Sequence, residues 1–284
     1  MTSTTNASHT SKGGGLLLEQ PLKIAILLNS YRSPFINSIR DSYVRSIAAI
    51  SPHSKLSFFY PADFFDQPQL AFPDPALFDL IIIGGGNVDP RKKHAWILRV
   101  HAFILDVVAH HPGKKMVGIC WGHQTISLLF GGEIIDMDVP ELGVTEAKLT
   151  CTGRRFFHDS SSSKSGGGVG GNGKLRMQQH HRRAVGVKPR GFHDLLVGNQ
   201  SFLSYNNAIL TFQGHPEKDG ATAKKRVHDA ARWFGTDVTD SRAVDELASK
   251  MDMEHDGAEI WTRVLQWARD GKDGMLHLHQ DGHL

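Results

Sequence analysis

Of the 284 residues only two are cysteines, Cys120 and Cys151, and they stand in very different company. Cys120 lies in Val117-Gly118-Ile119-Cys120-Trp121-Gly122-His123-Gln124. A Gly-x-Cys-x-Gly pattern between a strand-like and a helix-like run is the setting of a nucleophile elbow. A sharp turn there projects the nucleophile, and small residues two positions to either side let the turn close. At a helix N-terminus the dipole favours thiolate over thiol. The pattern alone leaves another reading open, because cysteine also serves as a small buried hydrophobe. A second segment, Thr211-Phe212-Gln213-Gly214-His215-Pro216-Glu217, supplies an imidazole and a carboxylate two positions apart, just past a strand-like run. A thiol nucleophile needs a base within hydrogen-bond reach, and the base needs an orienting partner. His215 can be that base and Glu217 that partner, with Pro216 stiffening the link. Cys151 has no motif context and reads as a core or loop residue. Two cysteines exclude both a disulfide scaffold and a cysteine-built zinc cluster.

Elements must bring these segments together. Leu22–Leu28 is a mostly apolar run that reads as a buried strand. Ile36, Ile39, Tyr43, Ile47 and Ile50 follow at helical spacing. Leu56–Tyr60 predicts a second strand and 61–75, rich in Pro and Asp, a loop. Phe78–Ile83 predicts a third strand running into a flexible glycine turn at Gly84-Gly85-Gly86. Ile97, Val100, Ile104 and Val107 mark the next helix. Met116–Ile119 reads as a strand and Trp121–Phe130 as the helix after it. Strands alternating with helices imply βαβ units: an α/β fold of three layers, with a mostly parallel central sheet flanked by helices.

The rhythm changes after Gly131. Short strand-like pieces appear at Val144–Leu149, Leu175–Gln178, Leu195–Val197 and Ile209–Phe212. A helix is expected over Ala221–Phe234, and a last helical pattern carries Ile260, Val264, Leu265 and Ala268. Residues 159–173 are rich in Ser and Gly and read as a disordered insertion, since they bury too little apolar surface to offset their ordering entropy. The expected organisation is a flexible tail over 1–20, a principal domain over 21–235 and a C-terminal helical extension over 236–284.

Gly-Ile-Cys-Trp-Gly-His-Gln together with Gly-His-Pro-Glu, in this order and strand context, resembles the class I (triad) glutamine amidotransferase family over about Leu22 to Phe234. The resemblance implies a flavodoxin-like fold with Cys120 as nucleophile, His215 as base and Glu217 as third triad member. It implies thiolate attack on a γ-glutamyl amide, a covalent thioester, and hydrolysis to glutamate. The oxyanion donors implied are the backbone N–H groups of Trp121 and Gly86. Gly85 and Gln124 match positions beside the substrate, and no cofactor or metal is implied. Where many members carry Ser-Gly-Gly-Pro, this chain has Gly84-Gly85-Gly86-Asn87, a departure that keeps the backbone donors. Large members fuse this domain to a synthetase; about 50 residues follow Phe234, so a stand-alone member is expected. Two donors stay open: glutamine, with ammonia passed to a separate synthetase, or a γ-glutamyl peptide or glutathione conjugate. A non-catalytic regulatory subunit is the third alternative, set against the presence of all three triad residues.

Other readings fall away on pattern. Lys plus Arg is 32 against 29 for Asp plus Glu, a net charge of +3 without the basic runs of a nucleic-acid binder. With 40% hydrophobic and 21% charged residues the chain suits a globular core, and no apolar run reaches the roughly 20 residues of a membrane span. Leu16-Leu17-Leu18 is too short for a signal core, so a cytoplasmic protein is expected. No Gly-Lys-Ser/Thr follows the glycine run, which excludes a P-loop. An α/β-hydrolase elbow expects the acid before the histidine, the reverse of the order here. Gln178, His180 and His181 read as structural or surface residues, and the histidines of 275–283 as part of a frayed end.

Overall fold

Strand β1 (Lys23–Asn29) is buried on both faces from Ile24 onward, as a central parallel strand must be. The computed structural model describes residues 21–64, 66–158, 172–232, 235, 237 and 239–270; the expected tail, residues 159–171 of the insertion, Phe234 and the C-terminal histidines lie outside these. After β1 come α1 (Ile36–Ala48), β2 (Lys55–Phe59), the short α2 (Pro68–Ala71) inside the expected loop, β3 (Leu80–Gly86), α3 (Ala95–His110), β4 (Lys115–Ile119) and α4 (Trp121–Leu129). The second half holds β5 (Glu133–Lys148), α5 (Cys151–His158), β6 (Lys174–Val187), β7 (Phe192–Leu196), β8 (Ser201–Ser204), β9 (Ile209–Phe212), α6 (Gly220–Lys224), α7 (Val227–Ala231), α8 (Ser241–Ser249) and α9 (Gly257–Arg269).

The main sheet runs β2-β1-β3-β4-β9-β8-β7. Its first five strands are parallel neighbours, and β8 and β7 add an antiparallel edge. Alternate residues of the central strands feed opposite faces. Ile24, Ile26, Ile82, Val117 and Phe212 pack with Tyr43 of α1 and with Trp261 and Leu265 of α9. Ala25, Leu27, Ile81, Ile83 and Met116 pack with Ile97, Val100 and Ile104 of α3 and with Trp121 and Ile126 of α4. These are the two halves of a helix–sheet–helix sandwich. A smaller cluster joins Leu142 of β5, Ala223 of α6, Val227 and Ala230 of α7 and Val244 and Leu247 of α8. Strands β5 and β6 form a separate long antiparallel ribbon.

Three local expectations are corrected. Gly84–Gly86 is no flexible turn: these residues end β3, and none has a positive φ. They are glycines for want of room. A Cβ on Gly84 would lie 2.8 Å from the Leu27 carbonyl oxygen, and one on Gly86 2.8 Å from the Trp121 ring. The helix expected over Ala221–Phe234 is two short helices, α6 and α7, broken at Lys225-Arg226. Asp219 caps the first through Thr222 N at 2.7 Å. Cys151 is neither core nor loop; it is exposed at the start of α5.

Candidate active site

Strand β4 hands the chain to α4 at Cys120, whose φ of 51° and ψ of −99° lie where a non-glycine residue is strained. The surroundings hold it there. Cys120 N–H donates to the Phe212 carbonyl of β9 at 2.8 Å, and Gln124 N–H closes the first helical turn onto Cys120 O. The flanking glycines are required: a Cβ on Gly122 would lie 2.0 Å from the Ile83 carbonyl oxygen, and one on Gly118 2.7 Å from Ile126 Cδ1. The turn therefore closes directly against β3.

The loop after β9 brings the other two groups. His215 N–H donates to Gln178 O of β6 at 2.8 Å, fixing the loop against the ribbon. His215 Nδ1 donates to Glu217 Oε1 at 2.7 Å, and both side chains are buried. The opposite nitrogen is left for the thiol, and His215 and Cys120 line the same small pocket. Burial opposes the Cys120 thiolate, yet the charge of His215, helped by His181 and Lys218, brings the thiol down to about 7. Burial and Lys218 oppose protonation of His215; Glu217 and Cys120 outweigh them and hold it above the ordinary histidine value. Burial likewise works against the Glu217 carboxylate, and His215 keeps it below the ordinary carboxylate range. The result is a buried chain of thiol, imidazole and carboxylate in which the thiolate–imidazolium pair is favoured. Such a chain can deliver a nucleophile and return a proton to a leaving amine.

Cys120 opens on a cavity of about 330 Å³ bounded by Gly86, Asn87 and Gln124 on one side and by residues of β6 and α7 on the other. Among the described residues, no group of three His, Cys, Asp or Glu side chains could hold a metal ion, and no helix is long and apolar enough to cross a membrane. The family model for "Glutamine amidotransferase class-I" matches residues 45–232. The chain belongs to this family.

The class-I glutamine amidotransferase assignment has further support. The chain is 28% identical over 249 residues to the glutamine amidotransferase-like protein chyE of Penicillium rubens, covering 87% of this chain and 96% of that one. It is 29% identical over 201 residues to the glutamine amidotransferase-like protein chry6 of Gibberella zeae, covering 69% and 75%. The fold resembles that of a glutamine amidotransferase of Thermotoga maritima with a TM-score of 0.63 at 15% identity, covering 88% of this chain and 99% of that one.

The amidotransferase fold brings the residues singled out by sequence to one place. Cys120 and Gly86 line the main cavity with Gln124, while Gly85 faces His215 in a small adjoining pocket; a Cβ on Gly85 would come 3.0 Å from His215 Cε1. Gln124 is fixed by Nε2 donating to Arg183 O at 2.7 Å and Gln213 Oε1 at 3.2 Å. The Trp121 ring packs beneath the elbow, stacked on Trp96 at 5.5 Å, with Nε1 donating to Val88 O. His123 is structural: it stacks on Phe202 and shares a hydrogen bond with Thr211 Oγ1. Burial pushes it down to about 3, so it stays neutral.

Several site residues have no motif to announce them. His180 and His181, expected as structural or surface groups, both line the amidotransferase cavity and are buried. His181 Nε2 lies 3.0 Å from both Gln179 Oε1 and Glu141 Oε2. Lys218, next to Glu217, is buried in the small pocket with Cys120, and burial lowers it to about 8. Arg182, Arg183, Arg226 and Arg232 complete the cavity wall. The two adjacent histidines and two adjacent arginines are visible as a cluster in the sequence; their approach to Cys120 depends on the bridge from Gln178 of β6 to His215 beyond β9.

Proposed function

We propose that the protein hydrolyses a γ-glutamyl amide through a thioester on Cys120, with His215 as acid–base and Glu217 as its orienting partner. The observation that carries this reading is the strained elbow residue Cys120 facing a buried His215–Glu217 pair. The thiolate attacks the γ-carbonyl carbon, and the carbonyl π electrons move to oxygen. The Trp121 N–H, first in α4 and without an intrahelical acceptor, and the Gly86 N–H stabilise that oxyanion. Collapse of the intermediate breaks the C–N bond as His215 protonates the departing nitrogen. Water, deprotonated by His215, then attacks the thioester carbon and releases glutamate and the Cys120 thiol. Gln124 and Gly85 help shape the site for the glutamyl group.

Two donors carry such an amide: glutamine, which would yield ammonia for a separate synthetase, and a γ-glutamyl peptide, which would yield an amine. The test is release of glutamate from glutamine and from γ-glutamyl peptides. Wild-type protein releases it and Cys120→Ala does not; undiminished release by that variant refutes the mechanism.

A further inference from the structure

We infer that the donor carries a second acid group on its leaving amine, and that the arginines facing Cys120 bind it. This rests on the hydrolase reading above and names the class of its substrate. Four arginines, Arg182, Arg183, Arg226 and Arg232, line the same cavity as Cys120, and one carboxylate, Asp229, joins them; outside the lining, Arg183 also acts on Asp89, a carboxylate already paired with Arg91 at 2.7 Å. Asp229 is already engaged: Arg232 Nη1 lies 3.4 Å away and Arg226 Nε 4.0 Å. Arg226 Nε and Arg183 Nε are nonetheless buried without a hydrogen-bond partner. Arg182 makes no ion pair or guanidinium hydrogen bond among the described residues. Asp136 pairs with Arg183 and Glu141 with His181, so residues 137–140 of β5 bulge opposite Arg182 and break the regular alternation there.

Glutamine does not match this wall. Its α-ammonium and α-carboxylate cancel and its side-chain amide is neutral, so it brings no net charge to offset several surplus guanidiniums. A γ-glutamyl amino acid or peptide adds a free carboxylate on the leaving side. That group is the planar acceptor a guanidinium fork binds best. A cavity of about 330 Å³ falls within the range of sites that take ligands of such size. The chemistry is unchanged: the Cys120 sulfur–carbon bond forms, the C–N bond breaks, and an amino acid or peptide leaves with the proton from His215. Water completes the cycle to glutamate.

The test compares two donors that differ only in charge, γ-glutamylglycine and γ-glutamylglycinamide. In wild-type protein kcat/KM for the acid should exceed that for the amide by at least about tenfold, the worth of one charge-assisted hydrogen bond. The preference should shrink with added salt and approach unity in the Arg182→Gln/Arg183→Gln double variant. Equal rates on the two donors in wild-type protein overturn the subsite and leave the hydrolase reading standing. Should no γ-glutamyl donor be cleaved, the hydrolase reading fails and the arginine wall is judged separately by alkylation of Cys120. Anionic iodoacetate should then gain on neutral iodoacetamide relative to a free thiol, with the gain lost in the double variant. An unchanged reagent ratio overturns the cationic wall.

Discussion

Replacing Glu217 by glutamine keeps the shape of the site and removes one charge. In the wild-type protein the Cys120 thiol is brought from its ordinary 9.0 to about 7, which favours the thiolate by about 3 kcal/mol. The chief cause is the charge on His215, and that charge is held in place by Glu217 at 2.7 Å. In the Glu217→Gln variant the buried imidazole loses its counter-ion, sheds its proton near neutrality, and leaves Cys120 with burial opposing its charge. The thiol should return to about 9 or above. At pH 7 the thiolate fraction then falls from about one half to about 1%, so Cys120 alkylation by iodoacetamide should slow roughly fifty-fold. The pair titrates as a unit, and the measured inflection belongs to both groups. The assay is the rate of alkylation at Cys120 against pH, read by peptide mass spectrometry, with exposed Cys151 as the internal reference. An inflection that stays near 7 in Glu217→Gln, with the fold intact by circular dichroism, refutes the chain from Glu217 through His215 to Cys120.

Other perturbations test the packing beneath the site. Gly122→Ala should cost at least about 3 kcal/mol in denaturant unfolding, because the new Cβ would lie 2.0 Å from the Ile83 carbonyl and the elbow cannot close; a loss below about 1 kcal/mol would mean the turn relaxes freely. His123, held down to about 3, takes up its proton in the unfolded chain near 6.5 but not in the folded one. Stability is therefore lost as pH falls from about 6.5 toward about 3, and His123→Gln should make that dependence shallower by about one proton; an unchanged slope contradicts the assignment. Arg45 pairs with Asp219 at 2.8 Å on the surface, and Arg45→Gln should change the unfolding free energy by less than about 1 kcal/mol. Asp219→Ala also removes the α6 cap and should cost more in the same measurement.

The legible parts of this molecule are those whose constraint is local. The elbow shows in five residues because a strand-to-helix turn needs small neighbours, and Gly118 and Gly122 have no room for a side chain. His215 and Glu217 sit two apart on a stiff loop, so their hydrogen bond is nearly a sequence property. The buried strands β1, β3, β4 and β9 are visible as apolar runs. Long β5 and β6 show only in fragments, because a two-stranded ribbon exposes much of its length and interleaves polar residues such as Glu141 and Arg182. Strand β8 is four residues long and flanked by turns, too short for a period to emerge. The glycines of β3 look like a flexible turn by composition. Their actual role, admitting Leu27 O, His215 and the Trp121 ring at close range, depends on three other elements. The same holds for Lys218 and the arginine wall, which acquire meaning only when distant segments line the pockets at Cys120.

The central claim is a covalent γ-glutamyl thioester on Cys120, and the most direct measurement is to trap it. Protein mixed with a γ-glutamyl donor, quenched in acid and digested, should yield the Cys120 peptide carrying one γ-glutamyl group. The adduct should be absent from Cys151 and from Cys120→Ala. Glutamate release without any adduct at Cys120, or release that persists in Cys120→Ala, would contradict the account.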